Sequence, residues 1–300
     1  MHRRCLSSPW RMGLVHRVDG RSNDRRVERG GRVMNDTPMT QEVEAARAYE
    51  ALFVPSLFRQ WASLLLDRAR VATGDRVLDV ACGTGILARE AQPRVAPSGL
   101  VVGLDAVAGM LEVARELAPE ILWRQGDAQQ LPFEAEAFDA VLCQFGLMFF
   151  IDQPAAIGEM HRVLVPAGRL AVAVFNGLDG NPTYAREVAL LERLAGPAAA
   201  EALRAPFVLG DAAALEAMAR EAGFEDVTVT TRQGIADFPS ITSLLEADLR
   251  GWLPVMGVHL DEATIQRVLT EAQVELGDVI EPSDRAVFEV SAHLLSGRRG

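Results

Sequence analysis

Three hundred residues suffice for one large domain, or a domain with a cap, and the formal net charge is −11. That charge is unevenly spread: residues 1–33 hold nine Arg against three acids, whereas residues 34–300 hold 21 Arg against 38 acids. So acidic a body repels phosphate backbones, which excludes DNA and RNA as expected partners.

In chain order, residues 1–35 are rich in Arg, Gly and Asp without periodicity and read as a disordered leader. Met34-Asn-Asp-Thr-Pro-Met would equally suit a translation start, so the leader is expected to be dispensable and its translation is an open question. Residues 36–72 carry two helices, about 41–50 and 55–70, with Leu57, Trp61, Leu64 and Leu65 at helical spacing. Residues 73–175 alternate strands near 76–81, 100–105, 121–124, 138–144 and 169–175 with helices at 84–92, 107–117 and 153–164. Residues 176–300 complete the sheet: helices at 182–194 and 211–222, a sixth strand from Gly223, a helical insertion at 240–275 and a seventh strand from Ala286. The expected class is α/β, a Rossmann-like, mostly parallel sheet of seven strands with helices on both faces.

The most informative stretch is Val77-Leu-Asp-Val-Ala-Cys-Gly-Thr-Gly85, an apolar strand breaking at once into a glycine turn and a helix. Glycines at 83 and 85 let backbone pass close beneath a ligand, and Asp79 has no packing reason to sit in a buried parallel strand. The next strands end in Asp105 and Asp127, and the fourth in Gln144. Ligands of open parallel sheets bind outside the carboxyl ends of the strands, so these four side chains should line one crevice. Carboxylates there accept from ribose hydroxyls or an exocyclic amine.

Asp-Val-Ala-Cys-Gly-Thr-Gly, followed by Gly-Leu-Asp-x4-Met-Leu, Gly-Asp-Ala-x2-Leu-Pro-Phe and Glu-Met-His-Arg-Val-Leu-Val-Pro-Ala-Gly-Arg, resembles the class I S-adenosylmethionine-dependent methyltransferases. The subgroup most similar is the small-molecule type of ubiquinone and menaquinone biosynthesis, over about residues 49–175 and more loosely beyond. The resemblance implies S-adenosylmethionine as cofactor. It places Ala81, Gly83 and Gly85 under the methionine moiety and Asp79 on its ammonium. Asp105 falls to the ribose hydroxyls, with Ala106 and Met110 beside the adenine. Asp127 and the Ala128 amide fall to the adenine edge, and Gln144 lies near the reactive methyl. Tyr49 matches the residue that folds over the cofactor from an N-terminal lid. The last strand is implied to be antiparallel and inserted between the fifth and sixth, with 176–210 and 240–280 capping the methyl end.

The rival is a dinucleotide site, since Gly83-Thr-Gly-Ile-Leu-Ala88 formally fits G-x-G-x-x-G/A and an acid follows about twenty residues later. Asp79 counts against it, because a carboxylate repels pyrophosphate and attracts an ammonium. A cofactor-binding scaffold without turnover is a further alternative. The catalytic residue is not written in the sequence; His259 and Gln144 are the candidates, while His161 reads as structural. Phe149, Phe150, Trp252 and Met256 could wall an apolar or aromatic acceptor, methylated on oxygen or carbon. Cysteines at 5, 82 and 143 have no metal-like spacing, so no metal is expected, and Cys82 and Cys143 read as reduced apolar fillers. No apolar run reaches the ~18 residues of a membrane span and no secretory h-region is present, which points to a cytoplasmic protein; all 30 basic residues are Arg, which suggests a GC-rich bacterial source, and a monomer or homodimer is expected.

Overall fold

A computed structural model describes residues 38–300, and the expected leader lies outside them. Helix α1 (Pro38–Phe53) runs into a π turn (Val54–Phe58) and then α2 (Arg59–Arg68). The sequence predicts two separate helices here. Instead Pro55, which has no N–H to give, is absorbed by the widened π turn, so the helical path continues past it.

The core follows as β1 (Arg76–Val80), α3 (Ile86–Val95), β2 (Leu100–Asp105), α4 (Ala108–Leu117), β3 (Leu122–Gln125), β4 (Phe138–Gln144), α5 (Gln153–Val163) and β5 (Leu164–Phe175). α3 continues through Pro93, past the expected stop at 92. Val95 is fully buried and its carbonyl accepts from both Gly74 and Gly99, which holds the last turn. β5 starts five residues earlier than predicted, because Leu164 pairs with Phe138 before a register shift restores pairing at Arg169–Ala140.

The C-terminal part comprises α6 (Pro182–Ala195), α7 (Pro197–Arg204), α8 (Ala212–Glu221), β6 (Phe224–Phe238), α9 (Ile241–Glu246), a second π turn (Ala247–Trp252), α10 (Leu253–Val255), α11 (Glu262–Glu275) and β7 (Ala286–Arg299). α7 was not read from the sequence; it is eight residues long and its buried face is made almost wholly of alanine. The strand order is β3-β2-β1-β4-β5-β7-β6, parallel from β3 to β5, with β7 antiparallel to both β5 and β6. This matches the expected seven-stranded sheet and the place of its last strand. α3 packs on β1 and β2, α4 on β2 and β3, α5 on β5, and α8 on β6 and β7. One continuous buried cluster joins Leu57 and Trp61 of the N-terminal helices, the sheet, and Leu249 and Leu269 of the C-terminal helices. No described helix is long and apolar enough to cross a membrane.

Candidate donor and acceptor sites

β1 ends on a turn held in the left-handed region at Ala81 (φ 56°), Gly83 (φ 54°) and Gly85 (φ 88°). The two glycines answer to different neighbours. A β-carbon on Gly83 would meet nothing nearer than the Tyr49 ring, at 3.9 Å, so the position has room for one in ordinary contact with the lid. A β-carbon on Gly85 would lie 2.2 Å from the Trp123 indole, so the structure supplies a packing reason for this glycine. Trp123 is itself fixed by its indole N–H donating to the Ala118 carbonyl at 2.9 Å.

Asp79, 1% exposed, accepts from the Ala88 amide through Oδ2 at 3.0 Å, while Oδ1 is buried without a hydrogen-bond partner. Burial pushes its pKa up to about 8; the Ala88 amide opposes this and the nearby Asp105 adds to it. Asp105 accepts from the Gly83 amide at 2.8 Å and the Val107 amide at 2.9 Å, so it anchors the glycine turn from the end of β2. Burial raises its pKa against the pull of those amides. Asp127 is exposed and closes a local turn, accepting from the Gln129 backbone at 2.8 Å; Ala128 beside it is buried. Ala106 is exposed and Met110 half-buried, both at the start of α4.

α1 lies over this end of the sheet. Tyr49 stacks on Phe58 at 5.5 Å, and burial raises its phenol pKa far above the usual value. Glu50 accepts from the Thr84 hydroxyl at 2.6 Å and pairs with Arg89 at 2.7 Å. Glu42 accepts from the Gly109 amide at 3.2 Å, at the N-terminus of α4. The latching role of Glu50 and Glu42 was not read from the sequence, because nothing local marks which acids of an exposed helix will meet a loop dozens of residues away.

Gln144 donates from Nε2 to the Phe58 carbonyl at 3.2 Å, tying β4 to the first π turn, and its Oε1 is buried without a partner. Phe145 follows with φ 55°, uncommon for a bulky residue, and stacks on Phe175 at 4.4 Å. The Phe149 and Trp252 rings meet at 5.1 Å, and the Trp252 indole donates to the Ala202 carbonyl at 2.8 Å. Phe150 and Met256 are half-buried against the same core. His259 is exposed in the loop before α11, apart from these rings. His161 packs edge-on against Phe224 at 4.9 Å, on the α5 side. Cys82 and Cys143 are buried and free, with burial pushing the Cys143 thiol up to about 12.

The buried carboxylate oxygen of Asp79 that no donor in the protein satisfies suits a ligand that brings a cationic donor. The acids Asp79, Asp105 and Glu50, with Arg89 already paired to Glu50, suit a cation and oppose a pyrophosphate. The residues present therefore fit S-adenosylmethionine.

Residues 77–168 match the family of the methyltransferase domain. The chain is 40% identical over 123 residues to a 2-phytyl-1,4-naphthoquinone methyltransferase of Thermosynechococcus vestitus, covering 40% of this chain and 55% of that one. It is 42% identical over 127 residues to a demethylmenaquinone methyltransferase of Renibacterium salmoninarum, covering 42% and 50%. The chain thus spans about half the length of the curated relatives it matches. Among solved structures, phosphoethanolamine N-methyltransferase 2 of Haemonchus contortus, in complex with S-adenosyl-L-methionine, superposes with a TM-score of 0.54 at 18% identity, covering 88% of this chain and 58% of that one. The YcgJ protein of Bacillus subtilis superposes with a TM-score of 0.52 at 19% identity, covering 80% and 98%. At these identities the superpositions speak to fold alone.

Proposed function

We propose that this chain, whose residues 77–168 match a methyltransferase domain, is an S-adenosylmethionine-dependent enzyme acting in the cytoplasm on a small, apolar or aromatic acceptor, at oxygen or carbon. The observation that supports the donor assignment is the unsatisfied, buried Oδ1 of Asp79 on the strand that runs into the glycine turn beneath Tyr49. When bound, S-adenosylmethionine supplies a methyl group on an already activated, positively charged sulfur. The protein's work is then alignment and exclusion of water.

Asp79 takes the donor's ammonium, Asp105 the ribose hydroxyls, and Asp127 with the Ala128 amide the adenine edge. Ala81, Ala106 and Met110 shape the surrounding walls. Tyr49 closes from above and Gln144 borders the methyl end. Phe149, Phe150, Trp252 and Met256 supply apolar wall on the acceptor side, and the naphthoquinone- and menaquinone-directed relatives support a ring-bearing acceptor. Exposure of His259 makes Gln144 the stronger of the two polar candidates near the chemistry. Calorimetric titration with S-adenosylmethionine, S-adenosylhomocysteine and NADH tests the donor. Micromolar binding of the first two and no heat from NADH is the expected result; the reverse pattern overturns the assignment.

A further inference from the structure

The remaining buried acids lie in the C-terminal helices. Glu187 on α6 is 0% exposed and Asp248 in the second π turn is 5% exposed. The two carboxyls face each other, each acting on the other's ionisation. Both Glu187 oxygens and Asp248 Oδ2 are buried without a hydrogen-bond partner, and no ion pair reaches either acid among the described residues. Asp79 and Asp105, the other buried acids, each accept from backbone amides. The arginines adjacent in sequence turn away: Arg186 pairs with Asp278, and Arg250 with Glu262 and Glu246. Burial holds both pKa values up, Glu187 most, so the pair keeps a shared proton.

A pair that served only to join α6 to the π turn would be expected to meet backbone amides or one of those arginines. Instead three buried oxygens lack a hydrogen-bond partner, with the Tyr184 phenol near enough to feel both acids, a costly arrangement unless something else completes it. The location is specific. Tyr184, one turn before Glu187, meets Phe207 at 5.2 Å, Phe207 meets Phe175 at 5.4 Å, and Phe175 stacks on Phe145 beside Gln144. A row of rings therefore leads from the carboxyl ends of β4 and β5 to the acid pair. Asp248 also shares its π turn with Trp252, which packs on Phe149.

We infer that Glu187 and Asp248 form the polar anchor of the methyl-acceptor site, accepting a hydrogen bond from a hydroxyl group of a ring-bearing acceptor whose apolar body lies along the aromatic row. A singly protonated pair both accepts and donates, which matches a hydroxyl better than an ammonium, and the ring walls favour an uncharged body. The inference rests on the acceptor reading above, not on the donor assignment.

The test uses the full chain, saturated with S-adenosylhomocysteine, and titrates it with 2-naphthol, 2-methoxynaphthalene and protonated 2-(aminomethyl)naphthalene. The wild type should bind the naphthol about tenfold more tightly than its methyl ether, as a hydrogen bond to a buried carboxylate requires. Glu187→Gln and Asp248→Asn should each reduce that preference to less than about threefold, with affinity for the ether and for S-adenosylhomocysteine unchanged. Glu187→Gln keeps the volume and a donor toward Asp248, so it decides the matter if Asp248→Asn fails to fold. Equal binding of naphthol and ether, preference for the amine, binding of none of the three, or variants that keep the preference would each overturn the anchor. Failure of S-adenosylhomocysteine to bind would strike the donor assignment alone, since the naphthol comparison can be read without it.

Discussion

Asp79 shows how one residue can oppose stability and serve binding. Its folded pKa, about 8, lies above the unfolded carboxylate value, so the folded state holds a proton that the unfolded state has released. The favourable contribution is therefore complete below about pH 4 and is lost as pH rises towards 8. Asp79→Asn should remove that slope: the unliganded variant should melt about 2–5 °C above wild type at pH 8, with little difference at pH 4, while donor binding is lost. A lower melting temperature at pH 8 would show that the carboxylate is internally compensated. The glycines separate in the same way. Gly85→Ala puts a β-carbon into the Trp123 ring and should cost about 2–4 kcal/mol in chemical denaturation. Gly83→Ala should cost only the ~1 kcal/mol of its left-handed backbone, and its larger effect should appear in donor affinity. Equal losses of stability would refute this division.

At the scale of elements, α1 is tied to the glycine turn and α3 through Glu50, and to α4 through Glu42 and the Arg47–Glu116 pair. The Glu50–Arg89 pair is partly shielded, about a fifth of each side chain being exposed, and Glu50 also takes the Thr84 hydroxyl. Glu50→Gln should weaken α1 by about 1 kcal/mol and speed amide exchange across residues 38–53, without altering exchange in β1 and β2. Unchanged exchange would mean that Tyr49, Phe53 and Phe58 with the ties to α4 hold the helix without Glu50. On the acceptor side, truncating Trp252 or Phe149 to Ala removes one of two touching rings. Either change should raise the KM of an identified acceptor by the equivalent of about 1–3 kcal/mol and leave donor affinity nearly untouched; an unchanged KM in both would move the acceptor elsewhere.

Across the whole molecule, the buried cluster runs without interruption from Trp61 through the sheet to Leu269. The N-terminal helices, sheet and C-terminal helices therefore should not melt as independent units. Intrinsic fluorescence, which sees fully buried Trp61 and half-buried Trp252, and far-ultraviolet dichroism should report one coincident urea transition. Saturating S-adenosylhomocysteine should shift both probes together, by mass action. Separate transitions would divide the chain near residue 176, as the composition of its segments suggests.

The sequence by itself determined the alternation of strands and helices, the glycine turn, and the acids at the ends of β1, β2 and β3, because apolar period, turn chemistry and strand-end chemistry are local. The neighbourhood of β7 was legible only through resemblance. Tertiary structure alone decided that Gly85 answers to Trp123, that Glu50 reaches Thr84 and Arg89, that Gln144 turns to Phe58, and that Glu187 and Asp248 meet without a counterion. Each of these joins residues from 34 to 86 positions apart, and each depends on which way a helix face is turned. Such rotations are set by how side chains fill shared volume, a property of the packed whole that no short window of residues contains.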